Sequence, residues 1–209
     1  MTKSLATRKL EAEIAFVEVQ TQKMQLDVMA AYEAYEARTS RVFRFTDDVS
    51  NETVLAAVEW LDRMVEDVGK PATVAFSSYG GSTFDGLTLY DAMEAARVVG
   101  LDLTTVCSGY TASMASILMQ AGTTRLATPH AWFHVHEPAT SLWHGKTADF
   151  RDETKILEGL WEQSLEIFAK RSHLTAAQLR RRFERKEEYL TASEALDLGL
   201  IDDIMDGTI

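Results

Sequence analysis

Thr73-Val74-Ala75-Phe76-Ser77-Ser78-Tyr79-Gly80-Gly81, continued by a helical pattern through Leu87, Tyr90 and Ala95, is the stretch on which the fold turns. The first four positions are strand-forming, and the paired glycines mark a tight turn before the helix. The same unit precedes it. Val42-Phe43-Arg44-Phe45 alternates as a strand, and Ser50 caps a helix whose apolar face includes Val54, Val58, Leu61 and Val65, ending near Gly69-Lys70-Pro71. The unit also follows it, from Leu103-Thr104-Thr105-Val106-Cys107 into a helix starting near Ala112. Crossover helices of this length imply parallel strands with right-handed connections, so the fold class is α/β.

Outward from this centre, Ala131 to His136 reads as another strand, and Asp149 to Arg171 as a single long helix. Thr175 caps a further helix, and Ala192–Leu198, ended by Gly199, leads to a short last strand at Leu200-Ile201. On the N-terminal side, Leu10, Ile14, Val17, Met24, Val28, Ala31 and Tyr35 fall at alternating steps of four and three if Thr21 is accepted as the polar member. That is a heptad seam on a helix of roughly 25 to 30 residues, about 40 Å long. A surface helix and a coiled coil both fit it. The expected division is an N-terminal helix over residues 1–39 and an α/β domain over 40–209.

Composition narrows the function classes. Across 209 residues, 21 Lys+Arg against 32 Asp+Glu leave a formal net charge of −11. Such a balance repels nucleic acid and anionic membrane surfaces, and the basic run Arg180-Arg181-Arg182 is answered by Glu184, Glu187 and Glu188. One cysteine makes no internal disulfide and points to a reducing compartment. No signal peptide or membrane span is expected, which makes the cytoplasm the expected location.

Open parallel sheets carry their working groups at strand C-terminal ends, and three ends here are chemically loaded. At Ser77–Ser82 the glycines turn backbone N–H groups into an anion-binding concavity, or make only a tight turn; no nucleotide-binding glycine motif is present. At Gly109-Tyr110-Thr111-Ala112-Ser113-Met114-Ala115-Ser116, Ser113 is either an N-cap or a nucleophile on a strand-to-helix turn. At His134-Val135-His136-Glu137-Pro138, strand alternation puts both histidines on one face, and Pro138 leaves His136 at the sheet's rim as a candidate general base. His130, His144 and His173 complete no ligand spacing, so neither a metal nor another cofactor is expected. Cys107 reads as packing.

Taken in order, Gly80-Gly81, Ser113-Met114 and His136 with Pro138 resemble the Clp protease proteolytic subunit family and its phage-encoded relatives, over roughly residues 40 to 206. Family members read S-P-G-G-S, A-S-M-G and I-H-Q-P where this chain has Ser78-Tyr79-Gly80-Gly81-Ser82, Ala112-Ser113-Met114-Ala115 and Val135-His136-Glu137-Pro138. A fourth pattern, R-D-[RNY]-F-[LM]-[ST]-A-x-E-A-x-x-x-G-L-[IV]-D, is met by Lys186 to Ala195 and by Gly199-Leu200-Ile201-Asp202. The resemblance implies the repeated ββα/βαβ spiral that this family shares with crotonases. It also implies a long handle helix in a segment of about 140–171, entered through Leu142 to Asp149, and the N-terminal helix is an addition.

For activity, the resemblance implies a serine endopeptidase of peptides and unfolded proteins. Ser113 would be the nucleophile, His136 the general base, and the N–H groups of Gly81 and Met114 the oxyanion hole. The family's triad aspartate falls at Glu187, with Glu188 the neighbouring alternative; a Ser-His-Glu triad keeps the charge that orients the imidazole. It further implies stacked heptameric rings of this chain enclosing a chamber. The family's partner is an AAA+ unfoldase that works with a short N-terminal axial loop; here the heptad helix stands in that place, which leaves an unfoldase partner open. The rival readings are a non-catalytic or weakly active ring subunit and a crotonase-like acyl-CoA enzyme.

Overall fold

The computed structural model describes residues 5–140 and 145–206, so Leu142, Trp143 and His144 of the handle-leading segment lie outside the described residues. The chain divides into two units, Met1–Ser40 and Arg41–Ile209. The first consists of helix α1, Leu5–Thr39, whose 35 residues correspond to about 52 Å. It begins earlier than the heptad seam because Leu5 to Lys9 contains neither Gly nor Pro to stop it. Ile14, Val17, Met24 and Val28 of the seam are exposed, and so are Phe16, Val19, Leu26 and Met29 on the rest of the circumference. The helix is thus apolar on more sides than a two-position seam provides. Leu10, Ala31 and Tyr35 have side chains outside the described set.

In the second unit, β1 (Val42–Phe45), β2 (Ala72–Ser78), β3 (Leu103–Ala112), β4 (Thr124–Ala127) and β7 (Asp203–Ile204) form a parallel sheet in the order β1-β2-β3-β4-β7. The crossover helices α2 (Asn51–Val65) and α3 (Thr83–Val98) join its first three strands. Ser50 caps α2 with a full capping box, closed by the Thr53 side chain. Val54, Ala57, Trp60, Leu61 and Met64 of α2 pack into a core with Leu89, Tyr90 and Met93 of α3.

Strand β3 determines the rest. Phe76 pairs with Cys107 but Ser78 pairs with Thr111, so β3 advances four residues while β2 advances two. This bulge bends the strand and divides its partners. Thr104–Cys107 keep β4, whereas Tyr110–Ala112 take up β5 (Trp132–Val135) in parallel, and β6 (Glu188–Thr191) adds antiparallel to β5. The sequence pattern had ended this strand at Cys107 and begun a helix near Ala112. The bulge instead carries the strand to Ala112, and α4 (Met114–Leu118) starts only after Ser113.

Helix α5 (Thr147–Ala169) is the expected long helix, begun two residues earlier where the Lys146 N–H donates to Asp149 Oδ2 at 2.7 Å. Its buried side chains, Trp161, Ser164, Leu165, Ile167 and Phe168, all lie in its second half. α6 (Ala176–Phe183) starts from a Thr175–Gln178 capping box, and α7 (Ala192–Asp197) from a Thr191–Glu194 one. The last strand begins at Asp203 rather than Leu200, because Leu200 and Ile201 are buried in the core while Asp202 turns onto Arg125. That arginine is 2% exposed; it donates to Asp202 Oδ1 at 2.7 Å and to Gln120 Oε1 at 2.8 Å.

Candidate functional site

The site grows from the bulged end of β3. Ser113 joins β3 to α4 with φ 53° and ψ −126°, a region an L-residue enters only when its surroundings hold it there. Four hydrogen bonds do so. Its own N–H donates to His134 O at 2.8 Å. Ser116 donates through its hydroxyl to Thr111 O at 3.0 Å and His134 O at 3.3 Å, and through its N–H to Ser113 O at 3.0 Å. Ser113 occupies the N-cap position of α4 but makes no side-chain capping bond, so the hydroxyl is not consumed by the helix. α4 has only five residues, so what it offers beside the hydroxyl is a backbone donor rather than an extended dipole.

The Gly80-Gly81 turn lies against this junction. A Cβ on Gly80 would come within 2.6 Å of Ala112 O, 2.8 Å of Ser113 Cβ and 2.9 Å of Met114 N, and one on Gly81 within 2.4 Å of Val49 O. With φ of 89° and 147°, both positions suit glycine alone. The turn is pinned by Val49 N–H to Gly80 O at 2.7 Å, by Ser82 N–H to Val49 O at 2.8 Å, and by Gly80 N–H to Ser78 Oγ at 3.2 Å. The N–H groups of Gly81 and Met114 have no acceptor among the described residues. Two backbone donors are therefore left beside the Ser113 junction.

His134 and His136 share a face, as alternation requires; their rings are stacked with centroids 5.0 Å apart. On the other side of His134, Tyr189 stacks at 4.2 Å. The Glu187 carboxylate meets His134 rather than His136, with Nε2 to Oε2 at 2.6 Å. Glu188 points elsewhere and pairs with Arg182 at 2.8 Å. Glu137 accepts from the Arg185 N–H at 2.9 Å. Thus Ser113, Met114 and Gly80-Gly81 come together at one strand end, and His134, stacked on His136, meets Glu187 where the adjoining β5–β6 pair ends.

Sequence reasoning weighed His134 only as half of a metal pair and missed it as the partner of Glu187. The alternation that put both histidines on one face was the available signal. Tyr79, 76% exposed, lays its ring against Tyr110 at 5.1 Å, and burial raises the Tyr110 phenol above its ordinary range. Cys107 is buried and its thiol is pushed up to about 12 by that burial, which leaves it a packing residue. Among the described residues no cluster of three or more His, Cys, Asp or Glu is arranged to hold a metal, and no helix is long and apolar enough to cross a membrane.

The Clp protease family model matches residues 21–208. Proteolytic subunit 1 of the ATP-dependent Clp protease of Rhodococcus jostii is 34% identical over 162 residues, covering 77% of this chain and 71% of that protein. Subunit 2 of Streptomyces coelicolor is 35% identical over 162 residues, with 76% and 71% covered. The Porphyromonas gingivalis subunit is 32% identical over 162 residues, with 77% and 70% covered. With a turn of paired glycines set against a strained serine, and with matches spanning most of its length, this chain belongs to the Clp protease family.

Proposed function

We propose that the chain is a serine endopeptidase that cleaves peptides and unfolded proteins. The observation that carries this reading is the strained Ser113 junction packed against Gly80-Gly81, with two unspent backbone donors beside it. Strain of this kind costs roughly 1–3 kcal/mol and is retained where it aims a reacting group. In the proposed reaction His136 takes the proton of Ser113 Oγ as the oxygen attacks the peptide carbonyl carbon. The oxyanion that forms accepts from the Gly81 and Met114 N–H groups. His136 then returns the proton to the leaving amine; water attacks the acyl-serine, and a second proton transfer through His136 restores the hydroxyl. Glu187 is the candidate acid that orients the imidazole.

A ring of identical protomers is part of the proposal. The first half of α5 buries none of its side chains in this protomer and exposes Phe150 and Ile156, an apolar surface that suits another copy's α5. The relatives are named as proteolytic subunits of ATP-dependent Clp proteases, which supports reading this chain as a proteolytic ring component. The test is incubation of the purified protein with a fluorophosphonate probe, short fluorogenic peptides and casein. Ser113→Ala and His136→Ala should lower turnover by roughly 10⁴-fold or more with unchanged circular dichroism. Wild-type turnover in the serine variant sinks the assignment.

A weakly active ring subunit is the second reading, favoured by the contact of Glu187 with His134 in place of His136.

A further inference from the structure

We propose that His134 is a positioning residue that competes with His136 for the Glu187 carboxylate, so that the protomer holds its triad acid on the wrong imidazole until the carboxylate is exchanged. This rests on the serine-peptidase reading and names what limits it.

The geometry is that of a diagonal pair. In the β5–β6 register His134 faces Tyr189 and Val135 faces Glu188; extended one step past the paired residues, that register sets Glu187 opposite His136. His134 is therefore the diagonal neighbour of Glu187, about 7–8 Å away along the backbone and within reach of long side chains only. Glutamate has that reach, and the 2.6 Å contact between His134 Nε2 and Glu187 Oε2 uses it. An aspartate, one methylene shorter, would be confined to the residue directly opposite. The substitution of the family's aspartate by glutamate and the presence of a histidine two residues before His136 thus act together.

Two further features make exchange feasible. The His134 side chain is 12% exposed and clamped between the rings of Tyr189 and His136, so it stays in place. The Glu187 side chain is 66% exposed, so its carboxylate swings toward His136 without giving up a buried position. Both imidazoles offer the carboxylate a charge-assisted hydrogen bond of the same kind, so occupancy follows the difference between the two placements, a tenfold preference corresponding to about 1.4 kcal/mol. The stacked rings lie close enough for one carboxylate to serve either.

The experiment compares kcat and KM for a short fluorogenic peptide across wild type, His134→Phe, His134→Gln, Glu187→Asp and the double variant His134→Phe/Glu187→Asp. Phenylalanine keeps a flat ring between Tyr189 and His136 and removes the N–H. We expect kcat to rise about tenfold in His134→Phe with KM unchanged, to rise similarly in Glu187→Asp, and to gain nothing further in the double variant. Loss of kcat in His134→Phe makes His134 a helper of His136, and unchanged kcat makes it a packing residue; either overturns the proposal. Should the phenylalanine variant misfold, Glu187→Asp decides alone, unchanged or lowered kcat overturning the proposal, because His134→Gln keeps an amide N–H for the carboxylate and serves as the control that retains the competition.

Nitrogen-15 spectra of the histidines in the wild-type protein give an independent answer. The proposal requires the His134 proton on Nε2, and that signature should vanish in Glu187→Ala. A His134 proton on Nδ1 overturns it. If no protein in the set turns over peptide or is acylated by fluorophosphonate, the peptidase reading fails, while the tautomer still decides whether His134 owns Glu187.

Discussion

Gly80 lies directly against Ser113: a Cβ placed on the glycine meets the serine's own Cβ at 2.8 Å. The neighbouring contacts, at 2.6 Å to Ala112 O and 2.9 Å to Met114 N, are to backbone, which has no rotamer by which to yield. Gly80→Ala must therefore displace the junction itself, and its φ of 89° adds strain. The expected result is a loss of about 1–3 kcal/mol in stability together with a fall in fluorophosphonate acylation beyond the fraction unfolded. Thermal unfolding and labelling rate measured on one preparation check both.

Relief of strain at Ser113 makes a prediction of opposite sign. Ser113→Gly removes the Cβ that makes φ 53° costly, while glycine's extra freedom in the unfolded chain returns roughly 0.5–1 kcal/mol of the gain. A net stabilisation of about 1 kcal/mol, a rise of about 2–4 °C in Tm, should accompany complete loss of acylation. Ser113→Ala keeps the strain and should melt near wild type. Equal melting of the glycine and alanine variants would show that the junction stores no strain.

The repeated strand-helix unit was legible because each crossover carries its own period and cap, Ser50 with Val54, Val58, Leu61 and Val65 being the clearest case. The continuation of β3 to Ala112 was not, since the bulge depends on which strand lies beside it, and Tyr110-Thr111-Ala112 has no pattern of its own. Thr124–Ala127 was missed as a strand for a related reason: its central Arg125 reads as a surface residue until Asp202 and Gln120 are brought to it by the fold. At the site, the spacing of Gly80, Ser113 and His136 located the strand ends. The diagonal reach of Glu187 to His134 required the β5–β6 register, which no local signal gives.

Asp202 ties stability to pH. Burial alone pushes its carboxyl up, but hydrogen bonds and charge from Arg125, with Arg171 beside it at 2.9 Å, outweigh that and hold it below its ordinary value. A depressed folded-state value means that the stabilisation is complete above the unfolded carboxylate range and is lost as pH falls through the lower folded value. Asp202→Asn leaves Arg125, 2% exposed, without its counter-charge, and should cost about 3 kcal/mol at pH 7. The cost should shrink as pH falls into the acid range, because protonation then removes the charge from the wild type as well. Urea unfolding of both proteins at pH 7 and in acid tests the sign; a pH-independent difference sinks the account.

Residues 41–209 form a compact unit of their own, and among the described residues its hydrophobic core runs from Phe43 to Ile204. A protein lacking residues 1–38 should therefore fold and melt within about 2 °C of the full chain. Its apolar helix is expected to govern access of large substrates, so truncation should change casein hydrolysis by severalfold and leave short-peptide hydrolysis near wild type. Equal rates for both substrates before and after truncation would leave α1 with a structural role only.

Two neighbouring carboxylates are candidates for the proposed triad acid, and the strand sends them to opposite faces. Glu187 lies on the face of His134, His136 and Tyr189, whereas Glu188 pairs with Arg182. If Glu187 is the acid, Glu187→Gln removes the charge that stabilises the His136 imidazolium and favours the wrong tautomer. Peptide hydrolysis should fall by roughly 10²- to 10⁴-fold, the upper end being that of the aspartate-to-asparagine change in serine proteases of the trypsin type. Glu188→Gln loses only a partly exposed ion pair, worth about 1 kcal/mol or less, and should keep kcat within a factor of about two. Fluorogenic peptide kinetics on the two variants, with Ser113→Ala as the zero, separate the cases. A silent Glu187→Gln beside a damaging Glu188→Gln would move the acid one residue along the strand and require β6 to turn its other face to His136.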